Sequence, residues 1–71
     1  MKGRVAYDYQ LSHGGPVGPI TVIATFSKGE NLTIVRVSED NAPITMYKIE
    51  EHPEIEMVSW RILLQFVRDF S

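Results

Sequence analysis

Two histidines and a run of glutamates are the side chains here most able to do chemistry, and their spacing limits what that chemistry could be. His13 follows Ser12 at the head of the segment SHGGPVGP. A histidine acting as general base needs a nucleophile and an orienting group within hydrogen-bond reach, and adjacency in a loop does not supply that geometry. Glycine amides can cradle a phosphate where they lead into a helix. This segment leads toward a β-branched run and lacks the Lys-Ser or Lys-Thr of a phosphate loop. It reads as a mobile hairpin loop, with His13, Gly14, Gly15 and Val17 forming a possible binding loop.

Glu50, Glu51, Glu54 and Glu56 could hold a divalent cation, mimic nucleic-acid charge or meet a basic protein partner, but they lack the Asp/Asn and glycine pattern of a calcium loop. The expected role is to solvate a strand-to-helix junction and complement its dipole, with His52 as a helix-entry residue before Pro53. The chain has no cysteine and its two histidines are far apart, so neither a disulfide nor a structural zinc site is expected. Tyr7, Tyr9 and Tyr47 suit cross-strand packing better than base stacking, because a stacking platform needs surrounding Arg and Lys. A formal charge of -2 disfavours nucleic-acid binding in general. No catalytic residue, cofactor or metal is expected.

The 71 residues can bury one core, so residues 1–71 are read as a single domain. A hydrophobic content of 44% with interspersed charge argues against disorder. Alternation predicts strands at about 3–11, 20–26, 32–37 and 44–49. Gly29 suits a bulged hairpin turn that would make the second and third strands antiparallel neighbours. Apolar side chains on both faces of the third strand suggest a central position. Pro53 at a first helical position, followed by Glu54 and Glu56, predicts a helix over about 53–70. The expected fold class is therefore α+β, a four-stranded antiparallel meander followed by one C-terminal helix packed on one sheet face.

That helix is unusual in being apolar nearly all round. Ile55, Val58, Ile62, Phe66 and Phe70 gather on one stripe, which should face the sheet. Met57, Trp60, Leu64 and Val67 gather roughly opposite, and one small sheet cannot cover both rows. Either the sheet curls around the helix, or Trp60 lies across the surface with its indole N–H in water, or the outer row is a protein interface.

A domain this small without disulfide or metal gains from association. The sequence thus predicts a non-enzymatic protein-interaction module that regulates or inhibits a partner. It would form a homodimer, or bind another protein, through Met57, Trp60, Leu64 and Val67. A nucleic-acid-binding regulator using the sheet face, and a small enzyme or enzyme subunit, are the alternatives. With no signal-peptide pattern and no apolar run approaching the roughly 20 residues that span a bilayer, a cytoplasmic protein is expected.

Overall fold

The computed structural model describes residues 1–13, 18 and 21–71. Among them are strands β1 (Lys2–Val5), β2 (Tyr9–His13), β3 (Thr21–Phe26), β4 (Asn31–Arg36), β5 (Met46–Ile49), β6 (Val58–Ser59) and β7 (Val67–Arg68), with helix α1 (Trp60–Phe66) between β6 and β7. A five-stranded sheet in the order β6-β5-β4-β1-β7 curls into a half-barrel, and β2 and β3 form a separate two-stranded sheet. All pairings are antiparallel. The α+β class and the antiparallel pairing hold. The four-stranded meander with one long helix does not.

The meander fails at Gly29. Residues 27–30 do turn, with the Ser27 carbonyl accepting from the Glu30 N–H at 3.0 Å and Gly29 at φ 89°. Glycine takes that backbone conformation without steric cost. But the Gly29 N–H donates to the Val5 carbonyl and the Val5 N–H to the Glu30 carbonyl, so the turn stays paired to β1. The chain bends there instead of reversing. β3 and β4 are two lengths of one bent strand, and β1 and β2 are the two lengths of its partner.

Register proves the continuity. Arg4 faces Asn31 before the bend and Tyr9 faces Phe26 after it, which leaves Ala6, Tyr7 and Asp8 opposite Ser27, Lys28 and Gly29, with no residue gained or lost. The Lys28 N–H donates to Asp8 Oδ1 across the corner at 2.8 Å. Further out, Leu11 faces Ala24 while Ser12 faces Val22, so Ile23 is an extra, bulged residue. A bulge resets the alternation, and Val22 is exposed although Ala24 and Phe26 are buried.

The predicted long helix resolves into three conformations. Residues 50–54 turn and 55–57 run on without regular structure, Val58 and Ser59 pair with Tyr47 and Met46, and only the seven residues Trp60–Phe66 are helical. Ser59 caps this short helix, its side chain accepting from the Ile62 N–H at 3.4 Å. Val67 and Arg68 then pair with Val5 and Arg4, closing the far edge of the sheet. A sequence apolar all round is satisfied here because consecutive pieces bury different sides, which a continuous helix on one sheet could not do. Val5, Phe26, Leu32, Ile34, Leu63, Phe66 and Val67 form the fully buried centre. The outer face of β4 is less covered than its two-sided apolar pattern suggested, with Val35 exposed.

Candidate functional site

The loop from β4 to β5, the chain entering β6 and the outer side of α1 leave large apolar side chains in solvent. Ile44 is 61% exposed, Met57 48% and Leu64 45%, and Val37 is exposed as well. Ile44 stands at the join of two open grooves. One is lined by Val37, Met46 and Met57 together with Glu39, the other by Trp60, Arg61 and Leu64. A further groove runs from Met57 and Glu56 toward Leu11, His13 and Ile23 on the two-stranded arm.

Local structure holds these side chains outward. The Arg36 guanidinium donates to the Glu39 carbonyl at 3.2 Å and lies 3.5 Å from the Asp40 carboxylate, while Ser38 Oγ accepts from the Met46 N–H at 3.1 Å. These contacts shape the loop that carries Val37 and Ile44. Met57 lies just ahead of β6, and Leu64 sits on the face of α1 opposite buried Leu63 and Phe66.

Of the residues expected to form the outer row, Met57 and Leu64 are indeed at the surface. Trp60 is half-buried, its ring 5.4 Å from that of Tyr47 and 4.8 Å from that of Phe70, so it forms a floor between them. Val67 is 0% exposed and belongs to the core, because it lies in β7 with its side chain turned inward. Ile44 and Val37 belong to the surface and were missed. Alternation places Ile44 in a strand over 44–49, whereas β5 begins only at Met46. In the expected binding loop, His13 is the exposed last residue of β2, and Gly14, Gly15 and Val17 lie outside the described residues.

The glutamate run does not face a helix dipole, because no helix begins there. Glu51 accepts from the Thr33 N–H at 2.7 Å and from the Thr33 hydroxyl at 2.8 Å. The Thr33 amide holds its carboxyl below the usual carboxylate range. His52, expected at a helix entry, is buried against Phe26 with ring centroids 4.2 Å apart. Its Nε2 lies 2.5 Å from Glu30 Oε2 and its Nδ1 3.2 Å from Glu54 Oε2. Burial pulls the imidazole pKa down, but the hydrogen bonds that Glu30 and Glu54 accept and their negative charges outweigh it, and the net shift is upward. The Glu54 carboxyl shifts down, first through its own backbone N–H and then through His52. Carboxylates on opposite sides of one ring cannot converge on an ion, and among the described residues no group of three or more His, Cys, Asp or Glu could hold a metal.

Tyr9 stacks on Phe66 at 4.2 Å and 4°, and the hydroxyls of Tyr7 and Tyr9 both bond to Gln65, one to its backbone carbonyl and one to its side chain. These tyrosines join the arm to α1. Among the described residues, no helix is long and apolar enough to cross a membrane. No family model matches the chain, and neither a curated protein nor a solved structure is significantly similar to it.

Proposed function

We propose that this chain is a non-catalytic interaction module that self-associates as a twofold dimer through the surface formed by Val37, Ile44, Met57 and Leu64 over Trp60. The observation that carries the reading is the polarity of that surface. Glu39 lines its Met57 end, with Glu56 beside Met57 in the adjoining groove, Arg61 lines its Leu64 end, and Ile44 is common to the grooves of Glu39 and Arg61. A twofold contact places the same patch against itself in reversed direction. An axis passing near Ile44 sets each acidic end against the other copy's Arg61 end, with the apolar middle desolvated and Trp60 beneath it as an aromatic anchor. A domain of this size without disulfide support gains stability from such a partner.

Sedimentation tests this directly. The parent chain should run as a two-chain species. Ile44→Asp should run as one chain with an unchanged circular dichroism spectrum, since Ile44 is exposed and outside the core. Arg61→Glu should weaken the dimer, and adding Glu39→Arg and Glu56→Arg should restore it. A parent of single-chain mass, or charge reversals without mutual rescue, would overturn the twofold contact.

A further inference from the structure

His52 is the one buried charged or polar residue among the described residues, and it joins two parts of the fold that the backbone does not join. Glu30 ends the bend that links β3 to β4, whereas His52 and Glu54 lie in the connection from β5 to β6. Within that connection the His52 N–H donates to the Ile49 carbonyl and the Ile55 N–H to the His52 carbonyl, each at 3.1 Å. The ring therefore sits on a doubly turned segment and reaches across to the bend. We propose that His52 is a proton-operated latch, in which the imidazolium, bonded on both ring nitrogens, ties Glu54 of the β5–β6 connection to Glu30 of the β3–β4 bend through one ring, and deprotonation frees the Glu54 side while the bond to Glu30 stays.

The number of donors on the ring ties the closed state to the imidazolium. A carboxylate only accepts, so a ring facing carboxylates on both Nδ1 and Nε2 is fully bonded only when both nitrogens carry protons. Neutral imidazole keeps one proton and turns a lone pair toward the other carboxylate. The contact to Glu30 is the closer one, and Glu30 is the less exposed partner, 28% against 46% for Glu54. Neutral His52 should therefore keep Nε2–H on Glu30 and lose Glu54, whose carboxylate turns to water. The charged groups that reach the ring are Glu30 from the bend and, from its own connection, Glu54 and at longer range Glu51. β3 contributes only the Phe26 ring.

The sign follows from the raised pKa. The latch is fully closed below the pKa of His52 in the unfolded chain and opens as pH rises through the higher folded value. The segment released carries Ile55 and leads to Met57, so opening would loosen one end of the surface proposed above. That last consequence rests on the docking reading; the latch itself does not.

Nitrogen-detected NMR of the imidazole in the intact chain, folded and in urea, reads the latch without any partner. Protons on both ring nitrogens are expected below the midpoint, with a folded midpoint above that in urea. Glu30→Gln should lower the midpoint more than Glu54→Gln. Amide protection, corrected for intrinsic exchange, should fall at Ile55 and its neighbours in 54–57 above the midpoint, while Glu50 and the β1–β4 pairs keep theirs. A folded midpoint at or below the urea value, or protection at Ile55 that ignores the midpoint, would overturn the proposal. A chain that stays monomeric but shows this titration would remove the dimer and leave the latch standing.

Discussion

The two halves of the bent hairpin share their strands and their register yet meet opposite fates. On one side of the bend, β1 and β4 lie inside a five-stranded sheet, with Gly3, Val5, Leu32 and Ile34 all buried. On the other, β2 and β3 pair only with each other, and burial survives only at Ala24 and Phe26 near the corner. Each half holds four β-branched residues, and only the exposed half adds aromatics, so strand preference does not explain the burial of the other. What separates them is what lies alongside. β1 has β7 as its second neighbour, while β2 meets α1 through tyrosine side chains.

The largest expected effect breaks the point where the arm joins the core. Phe26 is fully buried, with its ring 4.6 Å from Phe66 and 4.2 Å from His52. Removing a buried phenylalanine ring costs about 3–5 kcal/mol through lost transfer energy and the cavity left behind. Phe26→Ala should lose stability in that range by urea denaturation, with amide protection falling more in β2 and β3 than in β1 and β4. Equal loss in both halves would mean that the arm has no local stability of its own.

Next comes the close approach inside the larger sheet. A Cβ placed on Gly3 would lie 2.5 Å from Val67 Cγ1 and 3.4 Å from both Ile34 Cδ1 and Phe70 Cδ1. Val67 is buried and β-branched, so it has little room to move. Gly3→Ala should cost about 1–3 kcal/mol as an overpacking change, read as a lowered denaturation midpoint. Pairing Gly3→Ala with Val67→Ala should recover part of the loss if this contact is the cause.

Much of this was legible in the sequence, and the failures have specific physical causes. The alternation of Val5, Tyr7, Tyr9 and Leu11 marks an extended chain, although Tyr7 falls at the bend and is exposed, and Ile55, Val58 and Phe66, expected to face inward, are buried. Periodicity cannot distinguish a strand that reverses at a glycine from one that bends there, because both need the same Gly29. The decision lies in the hydrogen bonds between Val5 and residues 29 and 30, which are distant in sequence. The same limit hid the latch, since Glu30 and His52 are 22 residues apart. For the helix a local signal was present. Ser59 is a favoured N-cap type lying inside the supposed helix, and a cap in mid-pattern marks a new beginning.

A smaller effect sharpens the comparison from the proximal side. The Glu51 carboxylate caps the Thr33 amide on β4, and its pKa is lowered chiefly by that bond, against an opposing effect of burial. A depressed carboxylate pKa contributes stability above the unfolded value that is lost as pH falls through the folded one. Glu51 is exposed, so solvent screening keeps this contribution small. Thr33→Val removes the hydroxyl partner and keeps the amide. Carbon-detected NMR should then show the Glu51 midpoint rising only part of the way toward its unfolded value, and Glu51→Gln should flatten the acid limb of the stability curve slightly.

The smallest effect belongs to the far end of the arm, where the difference between the halves is most complete. Val22 and Ile23 have the side chains of core strand residues, yet both are exposed, because the bulge between Leu11 and Ser12 turns Val22 off the buried face and leaves Ile23 unpaired. Their apolar character therefore contributes little to the folded monomer. Val22→Thr keeps the branched shape and strand preference while adding a hydroxyl that water can reach. Surface changes of this kind usually stay within about 0.5 kcal/mol. The matching change on the other side of the bend, Ile34→Thr, buries that hydroxyl in the core and should cost several times more, since an unpaired buried polar group alone costs about 1–3 kcal/mol. Urea denaturation of the two variants side by side measures the asymmetry. Comparable losses would show that the arm beyond the bulge is packed as tightly as the sheet, and would require a partner surface covering Val22 within the folded chain.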